Sequence, residues 1–559
     1  MSRTRSRLIG LATVGAAVAA LFASIAPVDA QTAPSDTMTV QILGLNDFHG
    51  NIEPPAGSSG RIGTTNAGGA EYLATHLRRL RDQNSRTLIV HAGDLIGASP
   101  LISAIFKDEP TVEVMRMIGL DVLGVGNHEF DKGIVELKRI AVGGCHPVEG
   151  CFEGTYAGTT FPVLAANVVE ETSGNSVLPS WDIRVVDGVR IGFIGVTLES
   201  TPTIVAPAGV RGLKFLPEAT AINSTAKLLK ESYGVTAIVA LIHEGVTPAD
   251  GDPNGCNGIT GPIIDIVKKT TADVDAFVTG HTHQAYICTI NGKPVTSAAS
   301  FGRLITKLDL TINKASGKVV GATARNIIVT RDVTPAADVS AYISRLKIRT
   351  APKTSRVIGK ITADIVKANN PAGESALGNL LADSQLAATA GDGDGKAVIA
   401  MLNPGGIRTD LVASQISGGE AVGDVTYGES FSVQPFGNNL VTLTMTGADI
   451  IEALEQQFDN PGPGANRILS VSKGFTYTWT ASAPTGKKVS NVKLNGTDLD
   501  PKAGYRVTAN NFLTDGGDKF FAFVKARDRL GGVVDLDALE AVLKKGPVSP
   551  PATDRITVK

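Results

Sequence analysis

Four stretches of this chain present metal-binding and acid–base side chains in a recurring arrangement. They are Asp47-Phe48-His49, Gly93-Asp94, Gly124-Val125-Gly126-Asn127-His128-Glu129-Phe130-Asp131 and Gly280-His281-Thr282-His283. A fifth, the apolar run Ile238 to Ile242, ends in His243. Each follows a short run that reads as a buried strand, so five of the eight histidines fall at strand ends. An isolated Asn-His pair is usually a polar turn. The same polar cluster repeated at several strand ends reads as a site.

Asp47, His49, Asp94, Asn127, His243, His281 and His283 offer two carboxylates, one amide oxygen and four imidazoles. Mixed oxygen and nitrogen donors suit Zn, Mn, Fe, Co or Ni better than Ca, which prefers oxygen alone. These ligands are too many for one ion. They fit two divalent ions, Zn, Mn or Co foremost, that share a bridging carboxylate about 3.5–4 Å apart as in two-metal phosphoryl-transfer sites. Asp-x-His and His-x-His can each converge where a strand becomes a loop. The remaining polar neighbours read more plainly. His91 is expected to pack or support the site, His76 to lie on the exposed part of a helix, and His146 to sit in a loop. Glu129 is expected to cap or orient its turn, and Glu244 to face solvent or support the site.

The elements that must hold these groups alternate. Strands are expected at Thr39–Leu45, Thr87–His91, Val163–Ala166, Arg190–Val196, Ala237–Ile242 and Ala276–Thr279, and helices at Ala70–Asp82, Gly133–Val142 and Ala219–Tyr233. Such alternation argues α/β architecture, in which ligands sit beyond the C-terminal ends of the strands. At 559 residues the chain exceeds one core, so two large domains are expected.

Residues 1–30 read as a secretory signal peptide: Arg3, Arg5 and Arg7 precede an apolar stretch from Leu8 to about Ile25, and Val28-Asp29-Ala30 offers a cleavage site. The apolar stretch is long enough for an uncleaved anchor, but Pro27 and the small residues favour cleavage, giving an exported, periplasmic or secreted protein with no stable membrane anchor. The net charge is −2, and −4 without Arg3, Arg5, Arg7 and Asp29. With no basic run, nothing points to a nucleic-acid polymer or an anionic membrane as partner. Exported cysteines in an even set favour disulfides. Cys145 and Cys151 bracket a short loop and are paired locally, which leaves Cys256 with Cys288.

Thr334 to about Val357 breaks the rhythm, with a helix carrying Val339, Tyr342, Ile343 and Leu346, then a basic segment with Pro352. Residues 333–357 read as a linking helix and hinge between a domain over 38–332 and another over 358–559. The second is expected to hold helices Ala376–Ala390 and Gly447–Phe458 and strands through Val507. Three of its fragments stand out: Asn403-Pro404-Gly405-Gly406-Ile407-Arg408, Pro435-Phe436-Gly437, and Asn511-Phe512-Leu513-Thr514-Asp515-Gly516-Gly517-Asp518. The first sets an amide beside a guanidinium, suited to hydroxyls and phosphate oxygens. A Phe beside Gly is usually local packing, but two such loops could sandwich a planar base.

The ordered set Asp-x-His, Gly-Asp, Gly-Asn-His-Glu, His, Gly-His-x-His resembles the calcineurin-like metallophosphatase superfamily, and within it the secreted 5'-nucleotidase and UDP-sugar hydrolase family, over essentially the whole mature chain. The resemblance implies an N-terminal four-layer β-sandwich flanked by helices, a linking helix and a smaller α/β substrate-binding domain. It implies Asp47, His49, Asp94 and His283 for one ion, and Asp94, Asn127, His243 and His281 for the other, with Asp94 bridging. His128 is then the catalytic histidine, oriented by Asp131. Phe436 and Phe512 resemble the pair that clamps the base, Asp518 the ribose-hydroxyl acceptor, and Asn403 and Arg408 substrate contacts. One departure is Asn370-Pro371-Ala372-Gly373, where relatives carry one or two arginines. The implied activity is hydrolysis of nucleoside 5'-monophosphates in nucleotide catabolism, with UDP-sugars or 2',3'-cyclic nucleotides as further substrates. The rivals are a thiosulfate-ester hydrolase on the same fold and a non-catalytic surface binding protein.

Overall fold

Two six-stranded sheets lie face to face in the first part of the chain. The structure is a computed structural model and describes residues 36–559; the leader expected over residues 1–30 lies outside the described residues. The first sheet has the order Val319–Ile328, Leu304–Asn313, Thr37–Leu45, Thr87–Ala92, Val122–Gly124, Val163–Leu164. The second runs Ala285–Ile290, Lys293–Ala298, Ala276–Thr279, Ala237–His243, Val189–Thr197, Trp181–Val186. Thr37–Leu45, Thr87–Ala92 and Val122–Gly124 run parallel, as do Val189–Thr197, Ala237–His243 and Ala276–Thr279.

Side-chain alternation along each strand divides the core. Val40, Ile42, Leu88, Val90 and Val122 meet Phe193, Val239, Leu241 and Val278 between the sheets. Leu43, Leu45, Ile89 and Leu123 point outward against Leu73 and Leu77 of helix Ala70–Gln83. On the far side Ile194, Ile238 and Phe277 meet Ile222, Ala226 and Leu229 of helix Glu218–Tyr233. The result is helix, sheet, sheet, helix. Strands buried on both faces read as continuous apolar runs, and every residue of Ala237–His243 is buried.

Helix Ala337–Thr354 corrects the sequence reading, which ended it before the basic segment; it continues through Pro352. The proline sits in the last turn, so its missing N–H costs one hydrogen bond near a terminus rather than breaking the interior. Val339, Tyr342, Ile343 and Leu346 recur at helical spacing and bury in the core of the first region.

The second region has a five-stranded sheet, Ser470–Val471, Ile399–Leu402, Gly504–Asn510, Asn439–Thr446, Arg527–Val534, and a four-stranded one, Thr497–Asp498, Val489–Leu494, Phe475–Trp479, Ile556–Val558. Helices Ala376–Thr389 and Asp535–Leu543 cover it. Strand formation continues beyond Val507, and helix Gly447–Glu455 stops short of the expected Phe458. Disulfides join Cys145 to Cys151 and Cys256 to Cys288.

Candidate metal centre and substrate cavity

Five parallel strands end at one place. Thr37–Leu45 delivers Asp47 and His49, Thr87–Ala92 delivers Asp94, Val122–Gly124 delivers Asn127 and His128, Ala237–His243 ends on His243, and Ala276–Thr279 delivers His281 and His283. Asp47, His49, Asp94, His281 and His283 all take left-handed backbone, with φ of 49°, 49°, 53°, 70° and 55°. Each such residue costs of order 1–3 kcal/mol and persists only where surrounding structure enforces it. Close approach adds to this: a Cβ on Gly126 would stand 2.2 Å from Asp94 Oδ1, and one on Gly93 would stand 2.5 Å from Gly126 N.

The enforcement comes from buried hydrogen bonds. Glu129 accepts from the amides of Asp94 (2.9 Å), Leu95 (2.8 Å), Ile96 (3.2 Å) and Gly126 (2.5 Å). It thus ties the Asp94 loop to the Asn127 loop, which makes it an orienting residue. Asn46, which the sequence did not single out, donates to Asp47 Oδ2 at 2.7 Å and to the Ala299 carbonyl at 2.6 Å. The His281 amide also donates to Asp47, at 3.0 Å.

Ring nitrogens are sorted by the same means. His49 Nδ1 lies 2.8 Å from the Gly97 carbonyl and His243 Nδ1 2.8 Å from that of Ala92. Each Nδ1 therefore carries the hydrogen, and each Nε2 turns a lone pair into the centre. There the Nε2 atoms of His49 and His243 meet carboxylate and imidazole atoms. His243 Nε2 is 3.0 Å from Asp94 Oδ2 and His49 Nε2 is 3.6 Å from it. His49 Nε2 is 3.1 Å from His283 Nε2, and His283 Nε2 is 3.3 Å from Asp47 Oδ1. His281 Nδ1 lies 3.1 Å from Asn127 Oδ1. Ligating atoms of Asp47, His49 and His283, of His49, Asp94 and His128, and of Asp47, Asp94 and His243 each fall within 4.8 Å of one another.

Ligand-type atoms gathered this closely around one point suit a divalent cation, so the residues fit divalent metal. The titration behaviour agrees. Burial opposes charge on His243, yet Asp94 and Asp47 outweigh it and raise its imidazole to about 10. Burial and His243 push His281 down to about 3, and burial and the Arg408 guanidinium push His49 well below its ordinary value. Burial would raise Asp94, but His243 and His128 hold it well below the usual carboxylate range.

His128 stands apart from the other imidazoles. Its Nδ1 bonds Asp131 Oδ2 at 2.7 Å. Burial works against its charge, but Asp131 and Asp94 outweigh it and raise the imidazole above the histidine norm. Its backbone amide donates to Asp94 Oδ1 at 2.8 Å.

A cavity of about 750 Å³ opens on this centre, with Asn127, His128 and His281 on one wall and Asn403, Arg408, Phe436, Phe512 and Asp518 on the other. Asp47, Asp94, His49 and His243 lie behind it, buried. Arg408 Nη2 reaches to 3.3 Å from His49 Nε2, and its guanidinium lies over the Phe436 ring at 5.8 Å. Phe436 stacks on the His128 ring, with centroids 5.8 Å apart and planes at 20°. Asn403 Nδ2 donates to Asp518 Oδ2 at 2.8 Å. Of the residues read as bland, His91 is fully buried and His76 is half-buried, its Nε2 3.1 Å from the Thr330 carbonyl. Glu244 is 7% exposed, which excludes the solvent-facing alternative; burial raises its carboxyl to about 7. Arg467 and Asn510 also line the cavity and were not expected. The Pro/Gly-rich turn before Arg467 marks a loop, but no local pattern tells which loop will reach a site.

Comparison with known proteins follows the same lines. The model for calcineurin-like phosphoesterases matches residues 40–285, and the model for the 5'-nucleotidase C-terminal domain matches residues 357–525. Endonuclease YhcR of Bacillus subtilis is 36% identical over 92% of this chain and 40% of its own length. Cell wall protein Lmo0130 of Listeria monocytogenes is 34% identical over 88% of this chain and 65% of its own. The chain thus spans less than two thirds of either relative. The crystal structure of a 5'-nucleotidase precursor from Thermus thermophilus superposes with a TM-score of 0.77 at 24% identity, covering 93% of this chain and 99% of that one.

Proposed function

The chain belongs to the family that joins a calcineurin-like phosphoesterase domain to a 5'-nucleotidase C-terminal domain, and we propose that it is an exported enzyme releasing phosphate from nucleoside 5'-monophosphates. The observation that carries this reading is a single cavity with His128 and the metal centre on one wall and Asn403, Phe436, Phe512 and Asp518 on the other. Asp47, His49, Asp94 and His283 would hold one divalent ion, and Asp94, Asn127, His243 and His281 a second. Bound there, divalent ions would supply charge neutralisation for a phosphoryl group and activation of water.

The chain's own side chains do the rest. Asp131 holds Nδ1 of His128, which leaves Nε2 to donate a proton or hydrogen bond to the developing charge or leaving oxygen. Arg408 adds a fixed positive charge beside His49. Phe436 and Phe512 offer aromatic faces to a base, and Asn403 and Asp518 offer polar atoms to a ribose. Export rests on the leader and on Lmo0130 being a cell wall protein; among the described residues no helix is long and apolar enough to cross a membrane.

The test is a substrate panel on mature protein stripped with a chelator and reloaded with Mn, Co or Zn. AMP should have the highest kcat/KM, ahead of UDP-glucose, 2',3'-cyclic AMP and p-nitrophenyl phosphate, with no turnover before reloading. Single-stranded DNA belongs in the panel because of the endonuclease relative, although the chain's net charge of −2 gives no field to hold a polymer. Full activity without metal sinks the two-ion reading. Turnover confined to the baseless ester sinks the nucleotidase reading and leaves a phosphoesterase.

A further inference from the structure

Arg467 belongs to no pattern visible in the sequence, yet its guanidinium stands in the cavity wall. Nη1 lies 2.9 Å from Asp518 Oδ1 and 3.3 Å from Asn460 Oδ1. The other Asp518 oxygen accepts from Asn403, whose own Oδ1 accepts from Asn510 Nδ2 at 3.1 Å. Asn460 donates to the Asp518 carbonyl at 2.7 Å, which helps fix the left-handed backbone there, φ 54°. Asn403, Asn460, Asn510 and Asp518 are all buried. Every member of this chain of contacts is held by another.

Arg467 could act as a free anion clamp, replacing the arginines absent from Asn370–Gly373, or as the group that aims Asp518. Charge decides between them. A guanidinium 2.9 Å from a carboxylate spends most of its field on that partner. A carboxylate with one donor on each oxygen, by contrast, keeps about one acceptor direction free per oxygen. Donors on both oxygens hold the carboxylate in place, and two neighbouring acceptors suit a pair of neighbouring hydroxyls. Pairing also offsets the charge of Asp518 at a distance, so the phosphate of an incoming nucleotide is repelled less.

We propose that Arg467 is a positioning and specificity residue, which locks Asp518 so that its carboxylate grips both hydroxyls of a ribose cis-diol and makes the cavity select ribonucleotides over deoxyribonucleotides. The inference rests on the nucleotide reading of this cavity.

The experiment is calorimetric titration of the metal-free mature protein with adenosine and with 2'-deoxyadenosine, which lack phosphate and so report the sugar and base alone. Wild type should bind adenosine about tenfold or more tightly than 2'-deoxyadenosine, the scale of one charged hydrogen bond. Arg467→Ala should lose most of that preference by weakening adenosine selectively, and Arg467→Lys should recover part of it, because an ammonium keeps the charge without the fork. Thermal unfolding checks each variant, and Arg467→Gln takes the place of Arg467→Ala if the latter does not fold. An undiminished adenosine preference in a folded Ala or Gln variant overturns the proposal. Wild type that binds neither nucleoside overturns the nucleotide reading, and this inference with it.

Discussion

The two walls of the cavity are built on opposite principles. The wall proposed to hold metal consists of strand ends: its candidate ligands hang from parallel strands buried on both faces, five of them sit in left-handed backbone, and Glu129 and Asn46 pin the loops from behind. The wall proposed for substrate consists of loops and short helical turns, residues 403–408, 435–437 and 511–518, whose aromatic rings are half-buried. Its order comes from side chains holding side chains, Arg467 to Asp518 to Asn403 to Asn510. Chemistry on a phosphoryl group needs atoms placed to fractions of an ångström, and packed strands supply that. Recognition tolerates softer placement, and a loop scaffold can change its specificity without disturbing the sheet.

If that division is right, damage to the first wall should be catastrophic and damage to the second graded. His128→Ala should lower kcat by about 10²–10⁴-fold, the range for a lost acid–base group, while metal analysis still finds both ions. An ion missing from that variant would instead make His128 a ligand, as its position within 4.8 Å of the His49 and Asp94 ligating atoms allows geometrically.

Glu129→Ala should cost at least about 2 kcal/mol of unfolding free energy, because buried amides of two loops lose their acceptor. Metal affinity should fall with it, although Glu129 is no ligand. A denaturant midpoint within error of wild type would show that the strand ends hold themselves.

On the second wall, Phe436→Ala and Phe512→Ala should each raise KM for AMP by the equivalent of roughly 1–3 kcal/mol of stacking. The rise for p-nitrophenyl phosphate should be much smaller. Equal effects on both esters would mean that the rings shape the metal centre, a possibility that the Phe436–His128 stack makes worth measuring.

The smallest effect concerns Asp535, whose amide donates to the Asn438 carbonyl behind the Phe436 loop. Burial raises its carboxyl to about 7 from an ordinary 3.8. Folding therefore favours the protonated form, and the penalty grows as pH climbs from near 4 towards 7 and is complete above that. Asp535→Asn should accordingly raise stability at pH 8 and leave it almost unchanged at pH 4. A gain independent of pH would point to packing rather than charge.

Legibility in the sequence followed the same divide. The clustering of the candidate metal-centre residues could be read because each sits where an apolar run stops, so the end of the strand announces the position of the polar side chain. Strand Arg527–Val534 could not be read, since it is an edge strand with almost every residue exposed and hence no alternation. Helix Asp535–Leu543 follows it directly and was missed with it. Arg467 and Asn510 act through partners far away in sequence, Asp518 and Asn403, and no local signal encodes such a pairing. The extension of helix Ala337–Thr354 through Pro352 was hidden by a rule that holds for helix interiors and relaxes at ends.

That helix has a bearing on recombination. Its apolar stripe is a structural plank of the metal-bearing region even though in sequence it follows that region's last strand. Chimeras that graft a foreign substrate-binding module onto this chain should therefore be joined after Thr354. A splice at residue 332 would strip the buried apolar side chains of Val339, Tyr342, Ile343 and Leu346 from the first region and replace them with a helix evolved against a different surface. A splice placed after the helix moves the second region whole and leaves those side chains where they pack, so the helix sets where evolution, or an engineer, can cut.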